Sequence, residues 1–331
     1  MHFLFLSFIL LITSCSHNDN AKSFTTSDSP KITSTLWQVS KAGEPVSYLL
    51  GSLHFGKLDD VLSNKILEII QKSDYIYAEV KFPDDVENPT DSDFIEFMQK
   101  MYDMDSHQTL EDKIGTERFK KIKKMFLELT EKKNKGNSSQ LNSEKLNYIQ
   151  PWILPIYLPQ VLVERNFSTE KGVDYLVMAE AKRMNIPIGG LENHMFRYYI
   201  LKDKPMDLIL NDIDQILSQE KMAEMSMRSM YFLYHSGDSK SLEAIGMSLT
   251  PEKSIFSALH SKETLASAKW LKKEMLDKRN LHWMPTILSL LPKQKNFFVV
   301  GLLHLYGSIG LIQQLREHGY TVTPISSNDD E

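Results

Sequence analysis

A chain of 331 residues that is 42% hydrophobic and 24% charged carries enough apolar side chains for one large folded core. Its formal net charge of −5 gives no sign of a nucleic-acid partner, and the Lys-rich stretch 120–135 is interleaved with Glu, as on a solvated helix face. Cys15 is the single cysteine, so an intrachain disulfide is excluded as well.

Residues 1–14 are almost wholly apolar. The run is too short to span a bilayer and reads as the apolar region of a signal peptide. Ile12-Thr-Ser-Cys15 resembles a bacterial lipobox, although no Lys or Arg precedes the apolar run. The resemblance implies lipid attachment at Cys15, with residues 15–34, rich in Ser, Thr, Asn and Asp, as a flexible tether. The expectation is an exported protein anchored to a bacterial membrane, facing the periplasm or on the outer membrane in a Gram-negative cell. The other reading is an ordinary secretory signal that happens to contain a cysteine. The apolar stretch 149–163 is short and interrupted by Pro151, Pro155 and Pro159, which argues against a spanning helix.

The folded domain is expected over residues 35–326, followed by a short tail, 327–331. Residues 35–39 and 45–54 read as a hairpin turning on Lys-Ala-Gly-Glu. Residues 61–71 have helical periodicity and 74–80 read as a strand, so a parallel strand–helix–strand unit is expected, with its two strands as neighbours. From 91 to 148 the pattern is helical and charged, with Thr109 as an N-cap and a loop at 134–139, which makes a large helical insertion of about 84–165. A helix over 173–184 leads to a strand over 186–191. Helices fill 195–248 and 254–291; the Met-rich part, 222–230, reads as adaptable packing surface. A strand at 297–303, a helix at 308–318 and a strand at 321–325 form a second strand–helix–strand unit. The fold class is therefore α/β, with a mixed, largely parallel sheet.

Two tags in this pattern look alike. Gly51-Ser-Leu-His54 and Gly301-Leu-Leu-His304 each close an apolar run that reads as a buried strand. Either imidazole alone reads equally well as a hydrogen-bonded turn residue or as a site residue. Of the ten His, only these two share the setting. Brought together from strands 250 residues apart, they would form a metal site or an acid/base pair.

The chain resembles the TraB/PrgY/GumN/Tiki family over residues 36–325. Tyr48-Leu-Leu-Gly-Ser-Leu-His54 is similar to the family's first motif. Val299-Val-Gly-Leu-Leu-His-Leu-Tyr-Gly-Ser-Ile-Gly-Leu311 is similar to its last. Between them, in the family's order, stand Ala78-Glu79, Gln150-Pro-Trp152, Gly172-Val-Asp174, Gly190-Leu-Glu192, Gly237-Asp238 and Arg279-Asn280. Ser52 replaces the family's usual Thr, and Lys81 stands where an acidic residue is common. The resemblance implies an erythromycin esterase/ChaN-like fold and, from the Tiki members, a metal-dependent protease.

The residues fit that chemistry. His54, Glu79 and His304, each ending a strand, can hold a divalent metal (Mn, Co, Zn or Fe) and leave a position for water. Without metal, His54 and Glu79 would be the catalytic acid/base pair. Glu79 has a second reading as half of a buried ion pair with Arg279. The family match makes Arg279 a catalytic or carboxylate-binding cation. Glu192 and Asp174 are expected behind the ligands, although each also suits a helix first turn. The expected activity is hydrolysis of a peptide or ester in the cell envelope. The alternative is a non-catalytic envelope lipoprotein holding haem, iron or a polymer in the same pocket.

Overall fold

A computed structural model describes residues 35–81, 89–102, 107–133, 143–236, 241–242 and 261–325. Cys15, the tether, the loop expected at 134–139 and the tail lie outside the described residues. Six strands form one sheet: β1 (Leu36–Ser40), β2 (Ser47–Ser52), β3 (Tyr75–Val80), β4 (Ile188–Glu192), β5 (Asn296–Gly301) and β6 (Thr321–Pro324). Their spatial order is β4-β3-β5-β2-β1-β6. Among the described strands β1 points against the other five: it pairs antiparallel with β2 and β6, and the remaining pairs are parallel. The β1–β2 hairpin forms as expected, closed by the Glu44 N–H donating to the Lys41 carbonyl at 3.1 Å. Gly43 supplies the turn's φ of +83°, which a side chain would strain.

Helix α1 (Asn64–Lys72) joins β2 to β3 and buries Ile66, Ile69 and Ile70. It begins later than its periodicity suggests, because the Ser63 side chain accepts from the Ile66 N–H and caps it there. Between β3 and β4 come α2 (Ser92–Met101), α3 (Leu110–Ile114), α4 (Thr116–Lys133), α5 (Ser143–Leu146), α6 (Leu154–Val163) and α7 (Val173–Arg183). Thr109 caps α3 in a reciprocal box with Asp112. Helix α6, which holds Pro155 and Pro159, is buried along nearly its whole length. Among the described residues no helix is long and apolar enough to cross a membrane.

Between β4 and β5 lie α8 (His194–Leu201), α9 (Met206–Ser218), α10 (Glu220–His235), α11 (Lys262–Trp270), a π-helical stretch Leu271–Asp277 and α12 (Lys278–Leu290). Helix α13 (Leu311–Glu317) precedes β6.

Two pairings differ from the sequence reading. Strands β2 and β3 are not neighbours, because β5 inserts between them. All six residues of β5 are buried, and a strand so apolar is most stable with a partner on each edge and layers over both faces. Strand β6 does not lie beside β5 either; it pairs with β1 at the sheet's edge, where its Thr321, Thr323 and Pro324 stay exposed. The insertion of β5 sets the site, since it places the turn at Gly301 between the ends of β2 and β3.

Candidate active site

Parallel strands present their carboxyl ends on one edge of the sheet, where the chain must leave the core. His54 follows β2, Glu79 lies next to the end of β3, Glu192 ends β4, and His304 closes the turn after β5. All four are buried. Both imidazole Nε2 atoms approach the same oxygen, Glu79 Oε1, at 3.9 Å for His54 and 3.7 Å for His304. A methyl built on Gly301 would stand 3.1 Å from His54 Nε2, 3.1 Å from Glu79 Oε1 and 3.6 Å from His304 Cδ2. Glycine at 301 is therefore what leaves a space where the three side chains converge. The Gly301 N–H itself donates to Glu79 Oε1 at 2.7 Å.

The two imidazoles are oriented by different partners. His54 Nδ1–H donates to Asp174 Oδ2 at 2.8 Å, from the first turn of α7. Helix α7 is held against the His54 turn by the Val173 N–H donating to the Leu53 carbonyl at 2.8 Å. Burial disfavours the His54 imidazolium, but the charge and hydrogen bond of Asp174, with Glu79 adding, outweigh it and hold the pKa above 6.5. His304 Nδ1–H donates to Asn280 Oδ1 at 2.7 Å. Asn280 spends its own amide hydrogens on the carbonyls of His304 (3.1 Å) and Ile309 (2.9 Å), so its oxygen must face the ring. Burial, aided by the charge of Arg279 and against that of Glu79, pushes His304 down to about 3. The same kind of ring is thus pushed in opposite directions at the two positions: His304 is neutral at physiological pH, whereas His54 holds a proton more tightly than a free imidazole.

Arg279, fully buried, ties the carboxylates together. Its Nη2 donates to Glu79 Oε2 at 2.7 Å and to Glu192 Oε1 at 2.6 Å, and its Nε donates to both Glu192 oxygens at 3.0 Å. Nη1 donates to His304 Nε2 at 3.1 Å. The Trp283 indole N–H adds a bond to Glu192 Oε2 at 2.8 Å, and the Trp283 ring lies 4.6 Å from the guanidinium. Burial works against the Glu79 carboxylate, yet the Arg279 charge above all keeps its pKa well below the usual range. The ion pair with Arg279 that the sequence offered as one reading of Glu79 is present, within a cluster that also holds both imidazoles.

Sequence reasoning missed Arg197. Its Nε is 3.5 Å from Glu192 Oε1 and its Nη2 is 4.0 Å from Glu79 Oε2. Burial, then the charge of Arg279, lowers its pKa to about 10 against the pull of Glu192 and Glu79. The available signal was a lone cation in the apolar stretch His-Met-Phe-Arg-Tyr-Tyr-Ile-Leu of α8, directly after Glu192. Asn280 and Trp283 stand on α12 beside Arg279, one and four residues on, and share its inward face.

Comparison with known proteins gives the frame. The TraB/PrgY/gumN family pattern matches residues 35–324. The chain belongs to this family. Two relatives are a protein named Metalloprotease TIKI1 from Danio rerio, 23% identical, and a Metalloprotease TIKI homolog from Amphimedon queenslandica, 24% identical. The first alignment covers 97% of this chain and 69% of the relative; the second covers 88% and 62%. No solved structure matches, so the α/β sheet of this chain stands on its own topology, without support for the expected erythromycin esterase/ChaN-like fold.

Membership in a family that includes metalloproteases poses the question of a divalent metal. The donors are of the right kind: each Nε2 has its ring held through Nδ1 by an oxygen, as metal-binding histidines do. Separations of 3.7 and 3.9 Å from one carboxylate oxygen also suit ligands of a common ion with bonds of ~2.1 Å. The electrostatics do not suit it. Arg279 Nη1 occupies the lone pair of His304 Nε2, and Glu79 is bound through both oxygens to Gly301 N–H and Arg279. Among the described residues no group of three or more His, Cys, Asp or Glu side chains is arranged to hold a metal ion. His54, Glu79 and His304 are brought together, but as arranged they do not fit a three-ligand metal.

Proposed function

We propose that this protein hydrolyses amide or ester bonds, peptidase-like in keeping with the names of its TIKI relatives, with His54 as the group that moves the proton. The observation that carries this reading is the asymmetry of the two imidazoles. The charged Asp174 backs His54 and the neutral Asn280 backs His304, so a proton is favoured on the first ring and disfavoured on the second.

Asp174 fixes the His54 tautomer with Nε2 turned toward Glu79 and the space over Gly301. Nε2 takes a proton from water as the water oxygen bonds to the substrate carbonyl carbon, and returns it to the departing amine or alkoxide as that bond breaks. The negative charge then on the carbonyl oxygen falls beside two guanidiniums. Arg197, whose charge is destabilised by burial and by Arg279, gains most from a new anion. Glu79 and Glu192 hold those cations in place, and Glu79, its pKa held low by Arg279, is a charged partner rather than a proton carrier.

The test is turnover of peptide and ester libraries by the purified chain lacking residues 1–34, with His54→Gln as control. Turnover that survives His54→Gln, or no turnover by the wild type, overturns the reading. A metal-dependent version has one specific support, the ligand-like spacing around Glu79 Oε1, and requires Arg279 to leave His304 Nε2. Metal analysis after reconstitution with Mn, Co, Zn or Fe decides it: stoichiometric metal lost in His304→Ala supports that version, and none bound removes it. We also propose membrane attachment through Cys15; Cys15→Ser should abolish palmitate labelling and release the chain from the membrane fraction, and unchanged labelling would refute it.

A further inference from the structure

Ser52 is fully buried, and its hydroxyl has no hydrogen-bond partner in the protein. A buried hydroxyl without a partner is costly, and removing such a group normally gains stability, so its presence asks for a ligand. Its place in the sheet says where that ligand lies. Ser52 is paired with Gly301 across the parallel β2–β5 ladder. Side chains of paired residues leave a sheet on the same side. The Ser52 Cβ therefore points the same way as the Gly301 methyl position that lies 3.1 Å from both His54 Nε2 and Glu79 Oε1. Ser52 also stands two residues before His54, on the strand that delivers the imidazole.

We propose that Ser52 is a further catalytic residue whose hydroxyl holds the attacking water beside His54 Nε2. This rests on the hydrolase reading and deepens it. His54 accepts the water's proton, and the Ser52 hydroxyl, donating to or accepting from the water, fixes where the oxygen's remaining lone pair points. Ser52 exchanges no proton and forms no bond to the substrate. The residue is small and polar for the same reason that residue 301 is a glycine: both leave room for one oxygen on the face of the sheet beside His54 and Glu79.

The closing experiment has two activity-independent arms and one kinetic arm. In thermal unfolding Ser52→Ala should melt at the wild-type temperature or up to about 8 °C above it, because an unsatisfied group has gone. A fall of more than about 2 °C would mean that the hydroxyl serves the fold, and would overturn the proposal. In kinetics Ser52→Ala should lose about 100-fold in kcat with KM nearly unchanged, while Ser52→Thr, which keeps the hydroxyl, stays within about threefold. Full activity in Ser52→Ala overturns it. If the wild type hydrolyses nothing, the hydrolase reading fails, and a crystal structure decides the site alone. An ordered water within about 3.2 Å of both Ser52 Oγ and His54 Nε2 upholds Ser52 as a site residue. A Ser52 hydroxyl bonded to the protein, or with nothing against it, refutes it.

Discussion

Replacing Arg279 with Met gives a sharp test of how the cluster is held. Methionine fills much of the arginine volume but supplies no donor. Glu79 and Glu192 would then face only Arg197, at 4.0 and 3.5 Å, in place of Arg279 at 2.7 and 2.6 Å. The Glu192 side chain is 0% exposed, so water does not replace the lost bonds. Removing one partner from a buried ion pair costs about 3–5 kcal/mol. The remaining guanidinium offsets part of this, so a loss of about 3 kcal/mol is expected, or roughly 6–12 °C in Tm. Urea unfolding followed by tryptophan fluorescence measures it, with Trp283 in the cluster as a local reporter. The loss must also depend on pH. In the wild type the folded-state pKa of Glu79 is depressed, so its contribution is present at neutral pH and declines as pH falls through that low value. In the variant Glu79, buried and without the Arg279 charge, gains stability by taking up a proton. The gap between the two proteins should therefore narrow from pH 7 toward pH 4. Adding Glu192→Gln to Arg279→Met should recover part of the loss. A gap below about 1 kcal/mol at pH 7, or one that widens in acid, would refute the buried-network account.

Three further outcomes follow from the same geometry. Gly301→Ala has an allowed backbone (φ −54°, ψ 138°) and keeps the N–H for Glu79, yet its methyl enters the space shared by His54 and Glu79; it should cost at most about 3 kcal/mol of stability while turnover is lost, and normal turnover would show that no reactant occupies that space. Asp174→Asn removes the main charge that raises His54, so the rise of kcat/KM with pH should shift to lower pH and the plateau drop by about 10²–10⁴-fold; an unmoved limb would mean another group takes the proton. His194 is held neutral, its pKa lowered to about 4 chiefly by burial and by Arg197, while its ring nitrogen Nε2 bonds the Lys81 carbonyl at 3.2 Å. Stability from this group is complete above about pH 6.5 and falls by about 3 kcal/mol as pH drops toward 4; His194→Gln should remove that part of the acid slope, and an identical slope in the variant would place it elsewhere.

Strand and helix identity was legible because it is local. Alternating or continuous apolar runs bounded by Gly and polar turns marked the six described strands, and Thr109 marks where α3 begins. The repeated Gly-x-x-His tags at 51–54 and 301–304 singled out the two imidazoles, and the buried Glu79 announced that it needs a partner. What sequence could not decide was which strands touch. Pairing of β5 with both β2 and β3 joins segments more than 200 residues apart, and no local pattern encodes a choice made by total burial. The chemistry of the cluster depends on that choice. With β5 in the centre, Gly301 stands between His54 and Glu79, Asn280 and Arg279 reach His304, and Asp174 reaches His54. Two identical residues in near-identical motifs thus acquire opposite proton affinities, because a pKa is set by the charges and solvent around a ring and not by its neighbours in the chain.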